Sequence, residues 1–178
     1  MTAVNDELHN PVTGEHVRFL TVAFDRMRAE ITVDPRAGGP PVHQHPIAAE
    51  TFAVRSGRVR MRNGSHRTTL EAGQSITVAA GVRHGFWNDH DEPAVLIVEW
   101  EPATRMAEFL EAVYRLARQG KVRPDGKPGL LQMAVLLDEY RDSIALPAPS
   151  LALQRRLFAV LGALGRRRGY TIDGSAQH

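Results

Sequence analysis

No cysteine occurs among the 178 residues. Disulfides, thiolate metal sites and a cysteine nucleophile are therefore excluded. Long apolar runs are missing too. The longest, such as Ala94–Val98, falls far short of a bilayer's thickness. The first residues, MTAVNDELHNPVTGEH, hold neither a basic stretch nor an apolar one, which argues against a secretory signal. No serine triad, phosphate-binding glycine loop, helix-turn-helix pattern, internal repeat or low-complexity segment stands out. The expectation is a cytoplasmic protein with no nucleic-acid or membrane partner.

The net charge is only +2, but it is unevenly spread. Residues 1–101 carry 10 Lys and Arg against 13 Asp and Glu, whereas residues 102–178 carry 12 against 7. A basic C-terminal part can serve nucleic acid or anionic lipid, and the plainer reading is a solvated helix face. An apolar content of 43% and a charged content of 24% are ordinary for a folded domain. The length allows one well-buried core with an appendage.

Three segments follow along the chain. Residues 1–16 read as a polar leader. Residues 17–101 read as many short strands separated by turns, which indicates an all-β sandwich or barrel. Met27, Ala29, Ile31 and Val33 alternate with polar residues at a period of two, and Asn63-Gly64 is a strong hairpin signal. Residues 102–178 switch to helical spacing. A first helix is predicted over Met106–Ala117, with Thr104 as cap and Gly120 as stop. A second is predicted over Leu130–Tyr140, and a third from Ser150 to about Leu164.

The chemistry concentrates in two blocks, HQHPIAAETFAVRSG from His43 and GQSITVAAGVRHGFWN from Gly73. His43 and His45 point the same way if they sit on one strand. Glu50 joins their face only if the chain bends between them, and Pro46 can supply the bend. Past it, Glu50, Phe52 and Val54 share a face, as do His84, Phe86 and Asn88. Three imidazoles and one carboxylate suit a divalent first-row transition metal (Mn, Fe, Co, Ni, Cu or Zn) and can leave positions open for a ligand. Phe52, Val54 and Phe86 would then be core or substrate-contact residues lining an apolar pocket.

The two blocks resemble the paired motifs of the cupin superfamily. His43, His45, Glu50 and Gly57 match the first motif, with Gly38 as its leading glycine one residue nearer the histidines than the pattern asks. Gly73, Gly81, His84 and Asn88 match the second in register, with Ala79 where a proline is expected. The resemblance implies a double-stranded β-helix, or jelly-roll barrel, mostly β, here followed by a short α-helical extension. It implies His43, His45, Glu50 and His84 as metal ligands, and often a homodimer. Gly57, Gly73 and Gly81 would take unusual backbone angles, and Asn88 would be structural or support the ligands. The activities implied are those of dioxygenases, isomerases and decarboxylases acting on small molecules, with Glu50 as a possible base. The alternative is a small-molecule sensor that keeps the metal for structure.

Overall fold

The computed structural model describes residues 3–173. Nine strands come first, β1 (Glu7–Asn10), β2 (Glu15–Val22), β3 (Met27–Val33), β4 (Ala49–Ser56), β5 (Arg58–Asn63), β6 (His66–Glu71), β7 (Ser75–Val78), β8 (His84–Trp87) and β9 (Ala94–Glu101). Three helices follow, α1 (Met106–Arg118), α2 (Leu130–Glu139) and α3 (Leu151–Arg167). The strands form a six-stranded antiparallel sheet in the order β1-β2-β3-β9-β4-β7 and a three-stranded sheet in the order β6-β5-β8. The two sheets make the jelly-roll barrel.

Alternation decides which side chains enter it. On β3, Met27, Ala29, Ile31 and Val33 are buried, as the period of two requires; on β4 the buried set is Glu50, Phe52 and Val54. The Asn63-Gly64 turn closes the β5–β6 hairpin with Asn63 opposite His66. Gly57, Gly73 and Gly81 all have positive φ, as expected from their motif positions.

Two local expectations change. Residues 7–10, expected within a polar leader, pair with β2 as an edge strand. Their side chains are mostly exposed, so composition hides them, but Asn10 turns inward and its Oδ1 accepts from Val12 and Thr13 N–H. Thr104 does not cap α1. Arg105 occupies the cap position without a side-chain bond, and Thr104 Oγ1 instead meets Ser143 Oγ at 2.6 Å.

The helices close one mouth of the barrel. Met106, Phe109, Leu110, Val113 and Tyr114 of α1 join the barrel core. Ala112 and Leu116, on the other side of α1, join a second core with α2 and Phe158 of α3. Gly162 and Gly165 let α3 lie close on α2, where an added Cβ at Gly165 would meet Leu131 O at 3.0 Å. The outer face of α3 shows Leu153, Leu157, Val160 and Leu164 to solvent. Among the described residues no helix is long and apolar enough to cross a membrane.

Candidate metal centre

The bend predicted at Pro46 is present. Before it, residues 43 and 44 form single bridges rather than a full strand, His43 to His84 and Gln44 to Ala145. After it, β4 begins at Ala49 and turns Glu50 inward. His84 opens β8 directly beside His43. Metal-ligating atoms of His43, His45, Glu50 and His84 therefore all lie within 4.8 Å of one another.

The orientation of the rings matters more than their proximity. Each imidazole donates its Nδ1–H to a backbone carbonyl: His43 to Pro41 O at 2.8 Å, His45 to Ser143 O at 2.6 Å, His84 to Val82 O at 2.8 Å. A neutral imidazole held this way must present a bare Nε2 lone pair. Nε2 of His45 lies 3.0 Å and Nε2 of His84 2.5 Å from Glu50 Oε2. The His84 nitrogen is buried and misaligned for a hydrogen bond to that oxygen. With the rings neutral, lone pairs would meet a carboxylate with no donor between them, so the contacts call for a shared positive charge, either a proton on Nε2 or a cation. That arrangement fits a cation, and fixed Nδ1 partners are what metal-bound histidines ordinarily have. The Ser143 carbonyl comes from beyond α2, so the helical extension helps to build the site.

The carboxylate and the imidazoles act on one another's charge. Burial pushes the Glu50 carboxyl up, but the adjoining His45 and His84 outweigh burial and hold it well below the usual carboxylate range. Burial alone disfavours a charged His84, yet neighbouring Glu50 raises its pKa. His43 is half-buried, and desolvation together with the two neighbouring imidazoles lowers its pKa to about 3, so it stays neutral. A second group, His9, His16 and Asp34, also brings its ligating atoms close. It is solvent-exposed on its two histidines, and His16 already pairs with Asp34 at 3.2 Å.

A cavity of about 540 Å³ opens from this centre towards the helices. His43, Glu50, Phe86 and Trp100 line it from the barrel, Phe109 and Val113 from α1, Met133 from α2. Its size and apolar lining are those of a small-molecule site. Of the three expected substrate contacts, Phe86 lines the cavity. Phe52 and Val54 do not: both are fully enclosed in the barrel core, where the Phe52 ring packs 5.6 Å from that of Phe86 and 6.1 Å from that of His84. They point inward as expected, at the two inward positions of β4 that follow Glu50 and lie outside the cavity lining. Asn88 is structural, its Nδ2 donating to the carbonyls of Val33, Asp34 and Glu92.

The sequence reading misses Glu15. It falls in the expected leader, yet it begins β2, is only 3% exposed, and lines the cavity. Thr13 Oγ1 donates to its Oε2 at 2.6 Å, and the Tyr114 hydroxyl also hydrogen-bonds it. Burial raises its pKa from 4.5 to about 7, against the lowering effect of those two hydroxyls. The signal is present in the chain: Glu15, Val17 and Phe19 continue one buried face at a period of two.

Stability should record this carboxyl. Between pH 4.5 and about 7 the folded chain keeps a proton that the unfolded chain has lost. The resulting stabilisation is complete below the unfolded value and disappears as pH rises through the folded one. From about pH 5 to about pH 8, the wild type should lose roughly 2–3 kcal/mol more than Glu15→Gln. Urea unfolding of both proteins at each pH checks this, and parallel curves would show that Glu15 does not titrate there.

Comparison with known proteins bears on the barrel. A family model described as the cupin domain matches residues 29–100. Residues 29–100 are a cupin domain. Among solved structures, an RmlC-like cupin from Shewanella frigidimarina is 24% identical, with a TM-score of 0.50, over 58% of this chain and 89% of that one. The TT1209 protein of Thermus thermophilus is 23% identical, with a TM-score of 0.49, over 53% of this chain and 88% of that one. A conserved protein with a double-stranded β-helix domain from Klebsiella pneumoniae is 21% identical, with a TM-score of 0.48, over 57% and 89% of the two chains. No curated protein matches the sequence. The cupin domain match ends at Trp100, before α1 begins.

Proposed function

We propose that His43, His45, Glu50 and His84 hold one divalent transition metal, and that the protein is a metal-dependent enzyme acting on a small molecule in the adjoining cavity. The observation that carries this reading is the set of three Nδ1–H bonds to backbone carbonyls, which aims imidazole lone pairs at a buried carboxylate. A bound metal would supply Lewis acidity or a site for dioxygen. The protein's own part is positional. Barrel and helices bury His45, Glu50 and His84, the apolar walls hold the substrate's body, and Glu50 supplies the negative charge that balances the cation. Glu50 has two carboxylate oxygens, so one can face the cation while the other takes a proton from a bound substrate. Proton removal of this kind serves the dioxygenase and isomerase types, whereas a decarboxylase needs the reverse, a proton delivered to the carbon that CO2 leaves.

The test is incubation of metal-loaded protein with a fractionated metabolite extract, read by mass spectrometry and an oxygen electrode, with Glu50→Gln alongside. Turnover predicts that at least one compound disappears with wild type and persists with the variant. Oxygen uptake separates the dioxygenase type from the others. A compound that is retained by the protein and recovered unchanged would instead establish the sensor reading.

A further inference from the structure

The cavity contains a second carboxylate that the metal centre does not use. Glu15 lies on the barrel wall under α1, and its hydrogen-bond partners, Thr13 and Tyr114, are neutral hydroxyls. The charge acting on it is that of Glu50, another anion. Lys127 also lines the cavity, but it is engaged with Asp125 at 3.0 Å. A buried carboxylate without a counter-ion is costly, and the cost is relieved either by a proton or by a cation brought in from outside. The walls near it suit the second course. Phe86, Trp100 and Phe109 line the same cavity, and aromatic faces attract an organic cation while burying its alkyl part.

Taking the cavity as the small-molecule site described above, we propose that its ligand carries a protonated amine on an apolar body and that Glu15 receives the nitrogen. Glu50 is committed to the metal centre, so the two carboxylates divide the cavity between them. One balances the metal and the other the ligand's cationic end. Trp100 lines the cavity beside the metal centre. It stands opposite Glu50 in the β4–β9 pairing, and its indole N–H has no hydrogen-bond partner among the described residues.

The experiment titrates the Zn²⁺-loaded full-length protein with n-hexylammonium chloride, n-hexanol and sodium hexanoate by calorimetry. The ammonium should bind at least about 10-fold more tightly than the alcohol or the carboxylate, the scale of one charge-assisted hydrogen bond. Glu15→Gln, which can still accept from Thr13 and Tyr114, should lose about that factor for the ammonium and little for the alcohol. Zinc content, measured by elemental analysis on the same samples, is a separate readout, so failure of the metal reading and failure of this one leave different records. Equal affinities for ammonium and alcohol in the wild type would overturn the proposal even if Glu15→Gln did not fold. So would tighter binding of hexanoate, or a folded Glu15→Gln that binds the ammonium as the wild type does.

Discussion

Glu50→Gln should purify with less than about a tenth of the divalent metal that the wild type carries, and should need at least about 100-fold more free metal to load. Changing a residue that merely supports a ligand already costs 10–100-fold in affinity. On the proposed reading this change removes a ligand, and it takes away the only formal negative charge in the cluster. The amide keeps the side chain's size, so the barrel stays filled and the loss is chemical rather than structural. His45→Ala should behave alike, since its ring is fixed by Ser143 O at one nitrogen and faces Glu50 with the other. Elemental analysis of the purified proteins measures the content. Thermal unfolding gives an independent reading. Metal at 100 times its dissociation constant stabilises the form that binds it by about 2.7 kcal/mol. The wild type should show that gain and lose it to a chelator, whereas Glu50→Gln should unfold at one temperature throughout. A His45→Ala protein with the wild-type metal content would remove the ligand assignment.

The four residues of that cluster were legible because their spacing is a record of strand geometry. Two histidines a strand's period apart, a proline to turn the chain, and a glutamate leading an apolar alternation can converge only if the sheet closes. What anchors them was not legible. His45 is oriented by the carbonyl of Ser143, and a main-chain oxygen leaves no mark in the residue type. The helical extension therefore read as an appendage, although Tyr114 reaches Glu15 and Gln44 donates to Leu146 O at 2.6 Å. Glu15 escaped for a different reason. Local composition around it is polar, and the alternation that marks it as inward becomes clear only when β2 is extended back to residue 15. Phe52 and Val54 show the limit of a face argument. Period two says that a side chain points inward, but depth along the barrel axis decides whether it meets a cavity or the core.

Gly39→Ala should cost about 3–4 kcal/mol, while Gly38→Ala beside it should cost almost nothing. The motif resemblance puts weight on Gly38, but an added Cβ there would meet nothing within 4 Å. Gly39 carries the constraint. Its φ is +62°, and its N–H donates to Thr13 O at 3.2 Å. A Cβ there would sit 2.1 Å from Phe86 O and 3.0 Å from Phe86 C, which are backbone atoms of β8 and cannot rotate away. The left-handed backbone costs an alanine about 1–2 kcal/mol, and forced displacement of a packed neighbour adds a further 1–3 kcal/mol or so. Relief requires the 34–42 loop to lift from β8, and that loop leads straight into the His43–His84 bridge. Metal affinity should therefore fall together with stability in Gly39→Ala, although no ligand has been touched. Urea unfolding and zinc titration of both variants measure the two effects. A Gly39→Ala protein within about 1 kcal/mol of wild type would mean that β8 and the loop move apart easily. The histidine geometry would then owe its precision to the Nδ1 bonds alone rather than to the close contact of two backbones.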